Sequence, residues 1–190
     1  LVYGTLVAEN IDPIEKKPFF HVLPASSSYS VATAGCNFAC SFCQNHEISQ
    51  MPRATRMIAG DEVSPQDIVR QAKNQGCKTI AYTYTEPTIY FELAYDTAKI
   101  ACEHGLKNVF VTNGYMTSEM LEMIAPYLAA ANVDLKSFRD EFYKKQCGAK
   151  LAPVLDSLKK MKSLGIWVEI TTLLIPTLND SEEELKDIAE

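Results

Sequence analysis

Long apolar runs are missing from this sequence of 190 residues. No stretch approaches the roughly 18 residues that a membrane span requires, and no secretory leader pattern is visible, so a cytoplasmic protein without membrane association is expected. Positive charge is scarce too: 18 Lys and Arg stand against 24 Asp and Glu, a net charge of −6. A surface that tracks phosphates shows as clustered Lys and Arg, and the densest cluster here, Lys159, Lys160 and Lys162, has the spacing of a solvated helix face; no nucleic-acid partner is expected. The six cysteines do not form a disulfide framework, because nothing points to an oxidising compartment and half of them are bunched on one stretch. Cys77, Cys102 and Cys147 are scattered; Cys77 and Cys102 lie in strand and helix patterns and are expected to be small buried or half-buried residues. No second metal motif is visible. The chain starts at Leu1 and stops at Glu190 inside an amphipathic pattern of barely two turns, so a fragment of a longer protein is expected.

With 47% hydrophobic and 22% charged residues, the composition suits one domain with a real core. Residues 1–28 form a lead-in broken by Pro13, Pro18 and Pro24, where only short extended pieces are expected. From Tyr29 to the end the pattern repeats strand, loop, helix. Strands are predicted over 29–34, 79–85, 108–112, 132–135 and 166–175. Helices are predicted over 65–75, 87–104, 117–125 and 153–164. Ser64 and Pro65 mark one start, Gly76, Gly105 and Gly165 mark stops, and Ser181-x-x-Glu184 reads as a capping box opening a last helix. Strands alternating with helices predict an α/β fold with a parallel sheet curled toward a barrel. A complete eightfold barrel takes about 250 residues, so 29–190 is predicted to supply a C-terminally truncated, partial (β/α) TIM-type barrel.

One stretch stands out for chemistry. Gly35-Cys36-Asn37-Phe38-Ala39-Cys40-Ser41-Phe42-Cys43 spaces three cysteines as C-x3-C-x2-C directly after the first predicted strand. Three thiolates on one loop can hold three irons of a cubane cluster and leave the fourth without a protein ligand. His46, three positions after Cys43, also allows a zinc site of three cysteines and one histidine. Ligands in folds of this kind bind at the C-terminal ends of the strands. Those ends carry the cysteine loop, Glu86, Asn113, Asp134 with Lys136, and the Thr171-Thr172 pair. Glu86, just before Pro87, can serve as a helix N-terminal acid. Asn113-Gly114 can be a simple turn. Asp134 and Lys136, two apart on one strand face, can form a structural ion pair.

The cysteine spacing, with aromatic Phe42 just before the third cysteine, resembles the cluster loop of the radical S-adenosylmethionine (radical SAM) superfamily. Further stretches are similar to relatives of pyruvate formate-lyase activating enzyme, and more closely to the radical SAM proteins of the AmmeMemoRadiSam gene system: 34–37 through Asn45-His46-Glu47, Tyr82-Thr83-Tyr84-Thr85-Glu86-Pro87-Thr88, Thr112-Asn113-Gly114-Tyr115 and Asp134-Leu135-Lys136. The resemblance implies that Cys36, Cys40 and Cys43 ligate a [4Fe-4S] cluster, with S-adenosyl-L-methionine chelating the fourth iron. It places Glu86 in the family's Gly-Gly-Glu-Pro stretch, which holds the methionine amino group. It sets Asn113, Asp134, Lys136, Asn45 and Phe42 around the cofactors, with Lys136 facing either the cofactor carboxylate or Asp134. The implied reaction is reductive cleavage of S-adenosylmethionine to a 5′-deoxyadenosyl radical that abstracts hydrogen from a substrate the sequence does not identify. The electron would come from a low-potential donor of flavodoxin or ferredoxin type. Memo-type and AMMECR-type proteins are possible partners within that gene system. A glycyl-radical activating enzyme with a protein substrate, or a non-catalytic iron-sulfur or zinc protein, are the alternatives. Three positions depart from the activating-enzyme pattern: Val111 replaces a cation-binding acid, Gln44 a common His, and Thr85 the second glycine.

Overall fold

A computed structural model of the chain describes residues 2–190. Its sheet has six strands: β2 (Ala8–Pro13), β3 (Ser27–Ala32), β5 (Thr79–Tyr82), β6 (Lys107–Thr112), β7 (Leu128–Asp134) and β8 (Trp167–Thr171), hydrogen-bonded in the order β2-β3-β5-β6-β7-β8. All neighbours are parallel except β2 and β3, which are antiparallel. Two short strands, β1 (Thr5–Leu6) and β4 (Asp61–Glu62), pair separately. The helices are α1 (His46–Thr55), α2 (Pro65–Asn74), α3 (Phe91–Glu103), α4 (Ser118–Ile124), α5 (Asp140–Phe142), α6 (Ala152–Ser163) and α7 (Glu182–Ala189). The α/β class and the partial-barrel architecture are as expected from the sequence. No helix of the described residues is long and apolar enough to cross a membrane.

Strand alternation divides the core in two. Val31, Ile80, Tyr82, Phe110 and Val133 face the helices and pack with Ile68, Leu93, Leu121 and Val154. The opposite face carries Ala81, Val109 and Ala130, and the small side chains leave room for Ile14 and Phe19 of the lead-in, both fully buried. Burial of each such side chain stabilises by about 1.5–3 kcal/mol. The lead-in therefore supplies an edge strand and an apolar plug, beyond the short extended pieces expected of it.

Several boundaries move for local reasons. The second predicted strand, 79–85, ends at Tyr82 because Tyr84 adopts φ 63°, which breaks the extended run. Pro87–Tyr90 forms a 3₁₀ turn ahead of α3 instead of the first turn of one long helix. β7 starts at Leu128 rather than Asn132, since Ala129 to Ala131 lack β-branched signals, yet Leu128, Ala130 and Ala131 pair with β6 around an irregularity that leaves Ala129 without a partner there. β8 stops at Thr171, short of Ile175; Asn179 pulls the following chain off the sheet by accepting from the Ile175 N–H (2.6 Å) and donating to the Leu173 carbonyl (2.9 Å).

The capping box at α2 is reciprocal, with Asp67 N–H donating to Ser64 Oγ and Ser64 N–H to Asp67 Oδ2. The one expected at α7 is half formed. Ser181 Oγ accepts from Glu184 N–H, but the Glu184 carboxylate is buried elsewhere, accepting from Ser137 Oγ (2.5 Å) and Phe138 N–H (2.7 Å) and pairing with Arg139 Nε (2.5 Å). It ties the last helix to the exit of β7. Cys77 is buried as expected, whereas Cys102 is exposed on α3.

Glu184→Ala leaves the Ser137 hydroxyl and Phe138 N–H without their acceptor, and we expect it to lower stability by about 2–3 kcal/mol; a chemical-denaturation midpoint unchanged from wild type would show that this tie carries no weight.

Candidate active site

The cysteine loop follows β3 and has no regular structure of its own, so its shape is imposed by neighbours. Gly35 starts it. A Cβ there would sit 2.9 Å from Ile89 Cδ1 and 3.5 Å from Pro52 Cγ, and its φ of 112° suits glycine. The Gly35 N–H donates to the Ile48 carbonyl at 2.9 Å. That carbonyl lies in α1 and would normally receive the N–H of residue 52, but residue 52 is proline and has none. An interior proline, the reason no helix is predictable here, thus frees an acceptor that anchors the loop. Gln50 Nε2 and Arg53 Nη1 both donate to the Phe38 carbonyl at 3.1 Å.

The other side of the loop rests on a single π-helical turn, Tyr143–Cys147. Ala39 N–H donates to the Cys147 carbonyl and Ser41 N–H to that of Gln146, both at 2.9 Å. The Phe42 and Phe142 rings lie 5.7 Å apart, and Phe38 meets Tyr143 edge to face at 6.2 Å. Phe42 therefore packs as a wall of the loop.

Cys36, Cys40 and Cys43 are half-buried free thiols. Two of the three sulfurs have polar neighbours within hydrogen-bonding range. Phe38 N–H lies 3.4 Å and Asn113 Nδ2 3.8 Å from Cys36 Sγ, and Ser49 Oγ lies 3.3 Å from Cys43 Sγ. Burial pushes the Cys36 thiol up to about 11. Interaction between the two thiols raises Cys40 and lowers Cys147. Among the described residues no three His, Cys, Asp or Glu side chains converge closely enough to hold a single metal ion, and His46 is exposed at the start of α1. The donor set suits a cluster, whose corners are spread wider than the ligands of one zinc ion and whose thiolates accept hydrogen bonds.

Glu86 is 1% exposed, between the ends of β5 and β6. Its Oε1 accepts from Thr88 Oγ1 (2.6 Å), Thr112 Oγ1 (2.7 Å) and Thr88 N–H (3.1 Å); its Oε2 accepts from Asn113 N–H (2.8 Å). Burial raises its carboxyl above the ordinary range, and these donors offset part of the rise. Asn113 in turn donates from Nδ2 to Asn37 Oδ1 at 2.7 Å, joining β6 to the cysteine loop. Asn45 Nδ2 donates to the Tyr84 carbonyl at 2.8 Å. Asp134 and Lys136 are ion-paired at 2.6 Å. Burial pulls the Lys136 ammonium down, but the Asp134 carboxylate outweighs it and the net shift is upward. Val111 packs against the apolar inner cluster that includes Ile14, Phe19 and Val109.

Three groups escaped sequence reasoning. Cys147 has no motif around it and reaches the loop only through the fold. Lys17, in a Pro-rich segment that reads as surface, is 3% exposed and bonds Asp12 Oδ2 (2.8 Å) and Tyr84 OH (3.1 Å), with its ammonium 4.2 Å from the Tyr84 ring centre. Tyr84 itself carries a positive φ, which nothing in its stretch of aromatic and β-branched residues signals.

The family model for the radical SAM superfamily matches residues 30–189. The chain belongs to the radical SAM superfamily. With membership comes the family's cofactor pair, a [4Fe-4S] cluster and S-adenosylmethionine. An uncharacterised protein of Methanocaldococcus jannaschii is 48% identical over 183 residues, covering 96% of this chain and 54% of that protein. The pyruvate formate-lyase-activating enzyme of Clostridium pasteurianum is 25% identical over 161 residues, covering 82% of this chain and 65% of the enzyme. The chain thus spans part of the length of both. In fold it is similar to Streptococcus suis SuiB bound to S-adenosylmethionine, with a TM-score of 0.60 and 20% identity over 84% of this chain and 34% of that one.

Because the Glu86 carboxyl is raised, its contribution to stability is fully present below the ordinary carboxylate value of about 4.3 and is lost as pH rises through the elevated one. The stability difference between wild type and Glu86→Gln should therefore change with pH across that window, favouring wild type at the acid end. A pH-independent difference in denaturation free energy would contradict the shift.

Proposed function

We propose that this chain is the cofactor-binding part of a radical SAM enzyme of the activating-enzyme kind, acting on a substrate held at the strand ends. The observation that carries the proposal is the loop of three free thiols, with hydrogen-bonding neighbours at the Cys36 and Cys43 sulfurs, set beside Asn113, Asp134 and Lys136 at one rim of a parallel sheet. When bound, the cluster and S-adenosylmethionine supply reductive cleavage of the sulfur–C5′ bond and a 5′-deoxyadenosyl radical that abstracts hydrogen.

The residues have separate tasks. Cys36, Cys40 and Cys43 hold three irons, and Phe42 and Phe38 keep water from the loop by packing on Phe142 and Tyr143. Glu86 braces the ends of β5 and β6; its Oε2, which accepts one hydrogen bond against three at Oε1, is the oxygen with capacity left for the methionine amine. Lys136, ion-paired with Asp134, would supply the cation for the methionine carboxylate. Asn113 and Asn45 fix the loop's relation to β6 and to the Tyr84 turn. A flavodoxin- or ferredoxin-type protein delivers the electron.

Two substrate readings differ in their support. Similarity to activating enzymes favours a glycine of a partner protein as hydrogen source. The similar stretches around Asn45, Glu86, Asn113 and Asp134 favour the AmmeMemoRadiSam system, with Memo-type and AMMECR-type partners.

Full-length protein, reconstituted anaerobically and reduced with dithionite in the presence of S-adenosylmethionine, should yield 5′-deoxyadenosine and methionine in equal amounts. Cys40→Ala should lose both the cluster and the products. A wild-type protein with an intact [4Fe-4S] cluster that forms no 5′-deoxyadenosine would sink the proposal.

A further inference from the structure

We infer that Lys17 and Asp12 of the lead-in are positioning residues for Glu86, clamping the Tyr84 side chain so that a strained turn presents the Glu86 carboxylate to the amine of S-adenosylmethionine. The inference rests on the radical SAM reading above and adds to it two residues that lie outside the stretch matched by the family model, 30–189.

Tyr84 is the central residue of a three-residue turn. Thr85 N–H donates to the Thr83 carbonyl at 2.8 Å across it, and Tyr84 stands at φ 63°. A hydrogen bond from i+2 back to i around a positive φ is the rare, strained form of γ-turn. A residue other than glycine persists there only where its surroundings over-determine it. Here they hold it on three sides. Tyr84 OH donates to Asp12 Oδ2 at 2.7 Å and accepts from Lys17 Nζ at 3.1 Å; Lys17 Nζ pairs with the same Asp12 oxygen at 2.8 Å and stands 4.2 Å from the centre of the Tyr84 ring. Asn45, at the exit of the cysteine loop, donates from Nδ2 to the Tyr84 carbonyl at 2.8 Å. Thr85 Oγ1 donates to the Thr33 carbonyl at 2.8 Å.

Glu86 comes two residues after Tyr84, and its carboxylate meets Thr112 Oγ1 and Asn113 N–H at the end of β6 from the direction in which the turn sends the chain. Stability alone does not account for the clamp. Lys17 is 3% exposed, and an ammonium taken out of water recovers in its pairings about what desolvation costs, so an apolar side chain of similar volume would serve the core as well. What the charged trio adds is direction: donors and acceptors from β2, from the lead-in after it and from the turn after β5 agree on one placement of the Tyr84 ring.

The test is the dissociation constant for S-adenosylmethionine, read by equilibrium dialysis of labelled cofactor against the anaerobically reconstituted full-length protein. Wild type, Lys17→Met, Tyr84→Gly and the double variant are compared, each with its denaturation midpoint. Methionine fills the place of lysine without donors, and Lys17→Met should weaken binding roughly tenfold. Glycine adopts positive φ freely and needs no clamp, so Tyr84→Gly and the double variant should bind alike. A constant for Lys17→Met equal to wild type overturns the inference even where the midpoint falls, since a brace for the fold alone moves only the midpoint. An equal loss on removing Lys17 in the tyrosine and glycine backgrounds overturns it too, because Lys17 would then act other than through the turn. Should Lys17→Met fail to fold, Tyr84→Phe, which removes only the hydroxyl, takes its place, and binding equal to wild type overturns the inference. A wild type that holds an intact [4Fe-4S] cluster and binds no S-adenosylmethionine overturns the proposed function and this inference with it, whereas normal binding unmoved by the variants overturns this inference alone.

Discussion

Three thiols on an irregular loop have no fixed relation to one another unless other parts of the chain hold the backbone between them. Here that constraint is met from three directions. The Ile48 carbonyl of α1 takes Gly35 N–H, the π-helical turn takes the N–H groups of Ala39 and Ser41, and Asn113 at the end of β6 takes the Asn37 side chain. Each anchor comes from a different element, so the loop's shape reports the relative placement of α1, β6 and the segment after β7. Such second-layer hydrogen bonds orient metal ligands and tune the metal they hold.

Buried charge follows the same economy of partners. Glu86 has four protein donors, Glu184 three, Lys17 two, and each joins segments far apart in sequence. The pairs are valuable less for energy than for geometry, because removing one member strands the rest in a low-dielectric interior. Tyr84 shows the cost side. A bulky residue at positive φ is unfavourable by about 1–3 kcal/mol, and it is held there by the hydroxyl contacts to Asp12 and Lys17 and by Asn45 on its carbonyl.

Much of this was legible in the sequence. Alternation and β-branched residues located the strands, Ser64-Pro65 located α2, and the cysteine spacing marked the loop. The misses share a physical cause: they depend on partners distant in sequence. Pro52 reads as a helix breaker until Gly35 is seen to use the carbonyl it leaves free. Glu184 reads as the second half of a capping box until Ser137 and Arg139 arrive beside it. Cys147 reads as a stray cysteine, and Lys17 as surface. Ala130 and Ala131 carry no strand propensity, and a sheet neighbour on each side makes them extended.

The hydrogen bond from Ser41 to Gln146 spans 105 positions of the chain. Its consequence concerns the order of biogenesis. While residues beyond β7 are still emerging from the ribosome, the cysteine loop lacks the turn that closes it, so its backbone takes its final shape only once the turn ending at Cys147 has docked.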